Sequence, residues 1–205
     1  MNTLTLPSYY LSTVLLNNPF LFNLIRKVLA GNQENTKKFV YQNLITYKCK
    51  TVLDLGCGTG DFADACPTTI SYLGTDLNKK YIQFAKKRFK QHKNKKFIQE
   101  DILKSNRNEK YDAVLLISLM HHFSDEEFKI ILQGVKRITN KVVIIADIIP
   151  NPPHMIQQIG AKLDRGKFIR PKEEKLKLLK KYFTIVTSEL INSRIAVQCG
   201  VICEV

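Results

Sequence analysis

Val52-Leu53-Asp54-Leu55-Gly56-Cys57-Gly58-Thr59-Gly60-Asp61 joins a short apolar run to a glycine-rich turn. Glycine has no Cβ and accepts positive φ, so a turn built from Gly56, Gly58 and Gly60 brings backbone close to a ligand. The dinucleotide-binding fingerprint spaces its glycines G-x-G-x-x-G directly after a strand. Here the third glycine falls one residue early, and Asp61 takes the final position. A carboxylate there repels a pyrophosphate that would otherwise seek the positive end of a helix. The turn therefore suits a cationic or zwitterionic ligand and speaks against a nicotinamide dinucleotide. Asp54, at the strand end, adds negative charge on the same side.

Outward from this turn, short β-branched runs alternate with polar helical stretches, which predicts βαβ units and a mostly parallel sheet. Strands are expected over residues 51–55, 71–75, 96–99, 113–117, 142–146, 183–188 and 195–205, with helices over 79–91, 125–138 and 171–181. Upstream, Phe20, Leu24 and Val28, then Phe39, Val40, Leu44 and Ile45, recur at helical spacing. They predict an N-terminal helical cap over residues 1–49, ahead of an α/β domain over 50–205. Residues 150–170 hold Pro152, Pro153, Gly160 and Gly166 between a strand and a helix, and read as an insertion or lid.

The chain of 205 residues, 44% hydrophobic and 24% charged, has the composition of one globular domain with an appendage. Its 32 Lys+Arg against 18 Asp+Glu give a net charge of +14, which attracts anionic partners and leaves RNA open as one of them. The run Lys86-Lys87-Arg88-Phe89-Lys90, followed by Lys93, Lys95 and Lys96, reads as a phosphate-binding stripe or as a solvated helix face. The absence of interleaved exposed aromatics favours the second. Five cysteines without a Cys-x-x-Cys pair suggest neither a disulfide framework nor a zinc site, so no metal is expected and a reducing cytoplasm is. The longest apolar run, residues 142–149, is broken by Asp147 and too short to span a bilayer, so no membrane association is expected.

The second strand ends in Gly74-Thr75-Asp76-Leu77, where a carboxylate can accept both hydroxyls of a ribose. An N-cap for the helix that follows is the alternative role for Asp76, but Asn78 stands in better register. The third strand ends in Gln99-Glu100-Asp101-Ile102. There Asp101 can accept from an exocyclic amine, and Ile102 can offer a purine an apolar wall.

With the glycine turn at 52–60, the acids Asp76 and Asp101, and a fourth-strand segment running from Tyr111-Asp112-Ala113-Val114 to His121-His122-Phe123, the chain resembles the class I S-adenosylmethionine-dependent methyltransferases from about residue 50 to the C-terminus. The resemblance implies a Rossmann-like, doubly wound, seven-stranded sheet of order 3-2-1-4-5-7-6 with the last strand antiparallel. It also implies S-adenosyl-L-methionine as methyl donor and S-adenosyl-L-homocysteine as product. The cofactor residues it implies are Asp54, Gly56, Cys57, Gly58, Gly60, Asp76, Leu77, Asp101, Ile102 and Ser118.

Methyl transfer from a sulfonium is an in-line displacement, and a general base is needed only for a hydroxyl, thiol or protonated amine acceptor. His121 and His122 follow the fourth strand, and histidine as a residue type can take up a proton near neutral pH, so they are the candidate bases, with packing and loop hydrogen bonds as their structural alternative. Asp147, Arg165 and Arg170 are the candidate acceptor contacts, or else pair internally. Asn151-Pro152-Pro153-His154 looks like the Asn-Pro-Pro-aromatic motif of amino-group methyltransferases, but it follows the fifth strand and ends in histidine, so it reads as a turn. RNA cytosine-5 enzymes require a Pro-Cys nucleophile that the fourth-strand region lacks. A small-molecule acceptor, methylated at oxygen or nitrogen, is the leading expectation. An RNA or ribosomal acceptor comes second and a non-catalytic binding module third.

Overall fold

The computed structural model describes residues 33–150, 166–193 and 196–205. Strands β1 (Thr51–Leu55), β2 (Ser71–Asp76), β3 (Lys95–Gln99), β4 (Tyr111–Ile117), β5 (Thr139–Ile148), β6 (Thr184–Asn192) and β7 (Val197–Glu204) form one sheet of order β3-β2-β1-β4-β5-β7-β6. β7 runs antiparallel to both β5 and β6, and every other pairing is parallel. The strand order expected from the resemblance is the one found.

Helices α1 (Glu34–Thr46), α2 (Lys79–Arg88), α3 (Asp125–Ile138) and α4 (Lys172–Leu179) cover the sheet. Alternation along the strands sends side chains to opposite faces. Val52, Ala113, Leu115, Val142 and Ile144 meet Phe39, Val40 and Leu44 of α1 and Ile82 and Ala85 of α2. Leu53, Val114, Leu116, Val143 and Ile145 meet Phe128, Leu132 and Val135 of α3 and Leu178 and Leu179 of α4. Strands buried on both faces need continuous apolar runs, and β4 and β5 supply them.

Local signals fix the helix starts. Ser124 and Glu127 close a capping box around the first turn of α3, whose acids Asp125, Glu126 and Glu127 complement the helix dipole. Asn78 caps α2, its side chain accepting from the Lys80 and Tyr81 N–H groups. Such caps contribute about 1 kcal/mol each.

The structure departs from expectation at several edges. β5 extends beyond 142–146 at both ends, and β6 runs on to Asn192. α1 is no separate cap: Thr36 donates to Gln198 Oε1 at 2.6 Å, and Phe39, Val40 and Leu44 sit in the sheet's own core. Residues 1–32, with the helical repeat of Phe20, Leu24 and Val28, lie outside the described residues, as do Asn151-Pro152-Pro153-His154, most of the expected insertion, and Ile195 of the last strand.

Candidate active site

Parallel register sets Asp54 opposite Gly74 and Leu115, and Asp76 opposite Gln99, so the acids gather along the carboxyl edge of the sheet. The turn that follows β1 needs its glycines for different reasons. Gly56, Gly58 and Gly60 have φ of 73°, 55° and 80°. A Cβ on Gly56 would lie 2.6 Å from Leu119 Cδ1, and one on Gly60 would lie 2.9 Å from the Phe97 ring. At Gly58 it would meet nothing within 4 Å, so this glycine faces the open side of the turn, where a ligand fits against backbone.

Asp76 ties the turn to β2. Its Oδ2 accepts the Gly58 N–H at 2.9 Å and its Oδ1 the Asn78 N–H at 2.7 Å, which leaves further lone pairs on each oxygen for a diol. Burial raises its pKa, and the two N–H groups oppose that rise. Next to it, Leu77 is 66% exposed, an apolar side chain with a face to be covered. Asp101 Oδ1 accepts from the Leu103 N–H at 3.1 Å, while Lys104 lies 3.6 Å from Oδ2. Ile102 packs half-buried beside it.

Asp54 is fully buried and accepts from the Tyr72 hydroxyl at 2.5 Å. Burial lifts its pKa to about 7 against the pull of that hydrogen bond, with Asp61 and Asp76 adding to the rise. Cys57 is packed inward: its N–H donates to Thr75 O at 2.8 Å, and a Cβ on Gly74 would strike its Sγ at 2.8 Å. Burial pushes the thiol up well above its ordinary value, which keeps it an unreactive packing group.

Asp61 does not repel a pyrophosphate in the way its position in the sequence suggests. Arg88 Nη1 stands 3.1 Å from Asp61 Oδ1 and so offsets its charge. What disfavours a pyrophosphate is the backbone. β1 is followed by a 3-10 turn, Phe62–Ala65, and no α-helix N-terminus stands where the pyrophosphate would need it.

The ends of β4 and β5 form the other half of the edge. Ser118 sits at φ 50°, its N–H donating to Ala146 O at 2.8 Å and its Oγ accepting from Gln198 Nε2 at 3.0 Å. Positive φ in a non-glycine residue is strained, and here those hydrogen bonds hold it. A 3-10 turn, Met120–His122, then carries both histidines. His121 is 1% exposed and bonds through Nδ1 to Oδ1 of the fully buried Asp147. His122 is exposed and rests on the His121 ring, with centroids 4.2 Å apart.

Behind Asp147 lies Lys175 of α4, also 1% exposed. Its Nζ is 3.4 Å from Asp147 Oδ2, without hydrogen-bond alignment, and donates to the carbonyls of Asp147 and Ile148. Burial raises the Asp147 pKa, but His121 and Lys175 together outweigh it and hold the carboxyl below its ordinary range. Burial lowers the Lys175 pKa, and Asp147 restores part of that loss. Lys175 escaped the sequence reading, although a lysine in register with Leu178 and Leu179, three and four positions on, is the sign of an inward-facing cation.

Arg170 is buried too, and its guanidinium is committed to the protein. It donates to Asp125 Oδ1 at 2.8 Å and to the carbonyls of Met120, Phe168 and Phe123 at 3.1, 2.9 and 2.8 Å. Its visible work is to hold the histidine turn rather than to offer a charge to an acceptor. Gly166 presses on the same turn, since a Cβ there would lie 2.1 Å from His121 Cδ2. Arg165 lies outside the described residues.

This arrangement has counterparts among solved structures. Over 97% of this chain and 99% of the other, it superposes with a TM-score of 0.73 and 15% identity on magnesium protoporphyrin IX methyltransferase from Synechocystis PCC 6803 with bound S-adenosylhomocysteine. The methyltransferase domain of the bacterial protein CtHen1-CN matches over 85% of this chain and 100% of its own, with a TM-score of 0.68 and 19% identity. An S-adenosylmethionine-dependent methyltransferase from Clostridium acetobutylicum ATCC 824 matches over 90% and 97%, with a TM-score of 0.71 and 14% identity. At such identities the likeness speaks for the fold. Residues 52–142 match the family model of a methyltransferase domain. By that match the chain carries a methyltransferase domain, and its sheet has the strand order of the class I methyltransferase fold. No curated protein matches the methyltransferase in sequence. The Synechocystis neighbour has been crystallised with both S-adenosylmethionine and its demethylated product. The open face of Gly58, the spare lone pairs of Asp76 and the exposed Leu77 fit such a group.

Proposed function

We propose that this methyltransferase methylates an oxygen or nitrogen of a small molecule, with His121 as general base. The observation that carries the reading is the buried chain His121–Asp147–Lys175 at the ends of β4 and β5. A carboxylate on Nδ1 fixes the tautomer and orientation of an imidazole, and the lysine behind keeps that carboxylate ionised. The acceptor's lone pair attacks the methyl carbon, the carbon–sulfur bond breaks towards sulfur, and the acceptor's proton passes to His121. Alignment of the reactants is worth about 7 to 11 kcal/mol in such a displacement.

On the donor side, Asp76 takes the ribose hydroxyls and Asp101 the adenine amino group, with Leu77 and Ile102 against the purine. Asp54 and the backbone of residues 56–60 take the methionine end, framed by Cys57 and Ser118. Asp147 reaches the acceptor through His121, and Arg170 does so by holding the turn that carries it. The name of one structural neighbour, the protoporphyrin enzyme, supports a small acceptor, and that of the N-methyltransferase NodS of Bradyrhizobium japonicum WM9 supports nitrogen as a methylated atom. The lysine-rich run gives an RNA acceptor little support, because it lies at the amino end of β3, away from the strand ends that carry the site. Five unpaired, buried cysteines favour a reducing compartment such as the cytoplasm. Among the described residues, no helix is long and apolar enough to cross a membrane.

The test is incubation with methyl-labelled S-adenosylmethionine and separated metabolite, RNA and protein fractions. Label is expected in the metabolite fraction and reduced by His121→Ala. Label confined to RNA or protein would overturn the assignment.

A further inference from the structure

Where α2 ends and β3 begins, the surface forms a cup of about 430 Å³. Phe89 and Phe97 line it, and Lys86, Lys90, Lys93 and Lys96 stand around it, all four lysines exposed. Their neighbour Arg88 turns away to Asp61 and Asp64, and Lys95 donates to Ala63 O at 2.6 Å. The four lysines make no ion pair among the described residues. Part of this charge answers the negative end of α2, whose last turn holds Lys86, Lys87 and Arg88. Lys96 on the edge strand also discourages strand pairing with another chain. Neither role asks for four exposed lysines to line one concavity.

We propose that this cup binds the phosphodiester backbone of a single-stranded nucleic acid without reading its sequence. Four unpaired ammonium groups exceed what one phosphate neutralises, so the fitting ligand is a polyanion. The phenyl floor is buried, at 4% for Phe89 and 3% for Phe97, which leaves the exposed His92 ring at the rim as the aromatic face within reach of a base, so the contacts fall mainly on phosphates. A cup of this size takes a single strand's sugar-phosphate, whereas a flat anionic bilayer would leave it unfilled. The cup runs along the edge strand β3 from Lys95 to Ile98, three strands away from β4 and its histidine turn, on the order of 14 Å at about 4.8 Å per strand. It is therefore a docking site distinct from the methyl-transfer edge, and it does not depend on which acceptor that edge serves.

The test uses the full chain and a fluorescein-labelled 12-nucleotide oligouridylate, with its deoxythymidylate counterpart as a second arm, read by fluorescence anisotropy. Contacts to about four phosphates of a single strand predict a roughly 50-fold loss of affinity between 50 and 200 mM salt. The triple variant Lys86→Glu, Lys90→Glu, Lys93→Glu is expected to lose at least tenfold at 50 mM and to flatten the salt dependence. A charge-matched control, Lys177→Glu, Lys180→Glu, Lys181→Glu on and after α4, should lose less than threefold. Binding of S-adenosylhomocysteine by calorimetry checks that both triples fold. If the first does not, the glutamine triple at the same positions replaces it. Equal losses in the two triples would reduce the effect to overall charge and overturn the site. So would absence of oligonucleotide binding at 50 mM, binding of phosphatidylglycerol vesicles or tripolyphosphate only, or a tenfold preference between the RNA and DNA arms.

Discussion

Across the ends of β1, β2 and β3, the binding groups are a glycine turn and single carboxylates whose partners are mostly nearby backbone N–H groups. Across β4 and β5 they are buried ion pairs joining residues 26 and 28 positions apart, His121 to Asp147 and Asp147 to Lys175. The first half is held by backbone geometry that a short motif specifies. The second is held by charges that stay buried only while all of them are present. Changes to the open, ligand-facing groups of the first should therefore register mainly in cofactor affinity, and changes in the second mainly in folding.

Asp147→Ala puts this contrast under the most strain. It strips the counter-charge from a buried lysine and the partner from a buried imidazole, which costs about 3 to 5 kcal/mol. Urea unfolding should show that loss, and unchanged stability would dissolve the distinction between the two halves. Next come the glycines. Gly56→Ala combines left-handed strain with a Cβ 2.6 Å from Leu119 Cδ1, and should cost about 2 to 4 kcal/mol of stability. Gly58→Ala meets open space and should cost only the strain, about 1 to 2 kcal/mol, while weakening S-adenosylmethionine more than Gly56→Ala does per unit of stability lost. If the two variants behave alike, the open face of Gly58 is not the ligand's.

Asp76→Ala should weaken S-adenosylmethionine by about 1.5 to 3 kcal/mol in calorimetry, the scale of a charged hydrogen bond removed. Some stability goes too, because the Gly58 and Asn78 N–H groups lose their acceptor. An unchanged dissociation constant would take the ribose away from Asp76. The smallest effect is that of pH on Asp54, with its pKa of about 7. A cationic ligand needs the carboxylate, so affinity should rise by about tenfold between pH 6 and 8 and level off above. In the unliganded protein the sign reverses. Folded Asp54 keeps its proton up to about pH 7, while the unfolded chain releases it near pH 4, so its contribution to stability declines as the pH rises through that interval. A flat affinity profile would mean that Asp54 acts on the turn alone.

How much of this was legible follows the same division. The 52–61 stretch, Asp76 and Asp101 lie at consecutive strand ends, so chain order alone brings them together. α3 was placed to the residue because Ser124 and Glu127 mark its start and Phe128, Ile131, Leu132 and Val135 keep its period. β6 ran past its expected end because only Ile191 in it is buried, so no alternation marks its course. Lys175 and Arg170 were missed or misjudged for one reason. Lys175 meets the end of β5, and Arg170 meets the histidine turn and the start of α3, about 30 to 50 positions away along the chain, and no local pattern announces a long-range pairing between charges. Asp61 misled in the same way, because its partner Arg88 lies a whole βα unit downstream.

Arg170 and Lys175 have one more consequence. The chain leaves the sheet at Ile148, whose carbonyl is held by Lys175, and it is anchored again at Arg170, which binds the histidine turn through three carbonyl and carboxylate partners in that turn and α3. With both posts fastened to the scaffold, the intervening sequence can lengthen, shorten or be exchanged in evolution without disturbing the sheet. Descendants of one donor-binding frame can in this way come to serve different recipients.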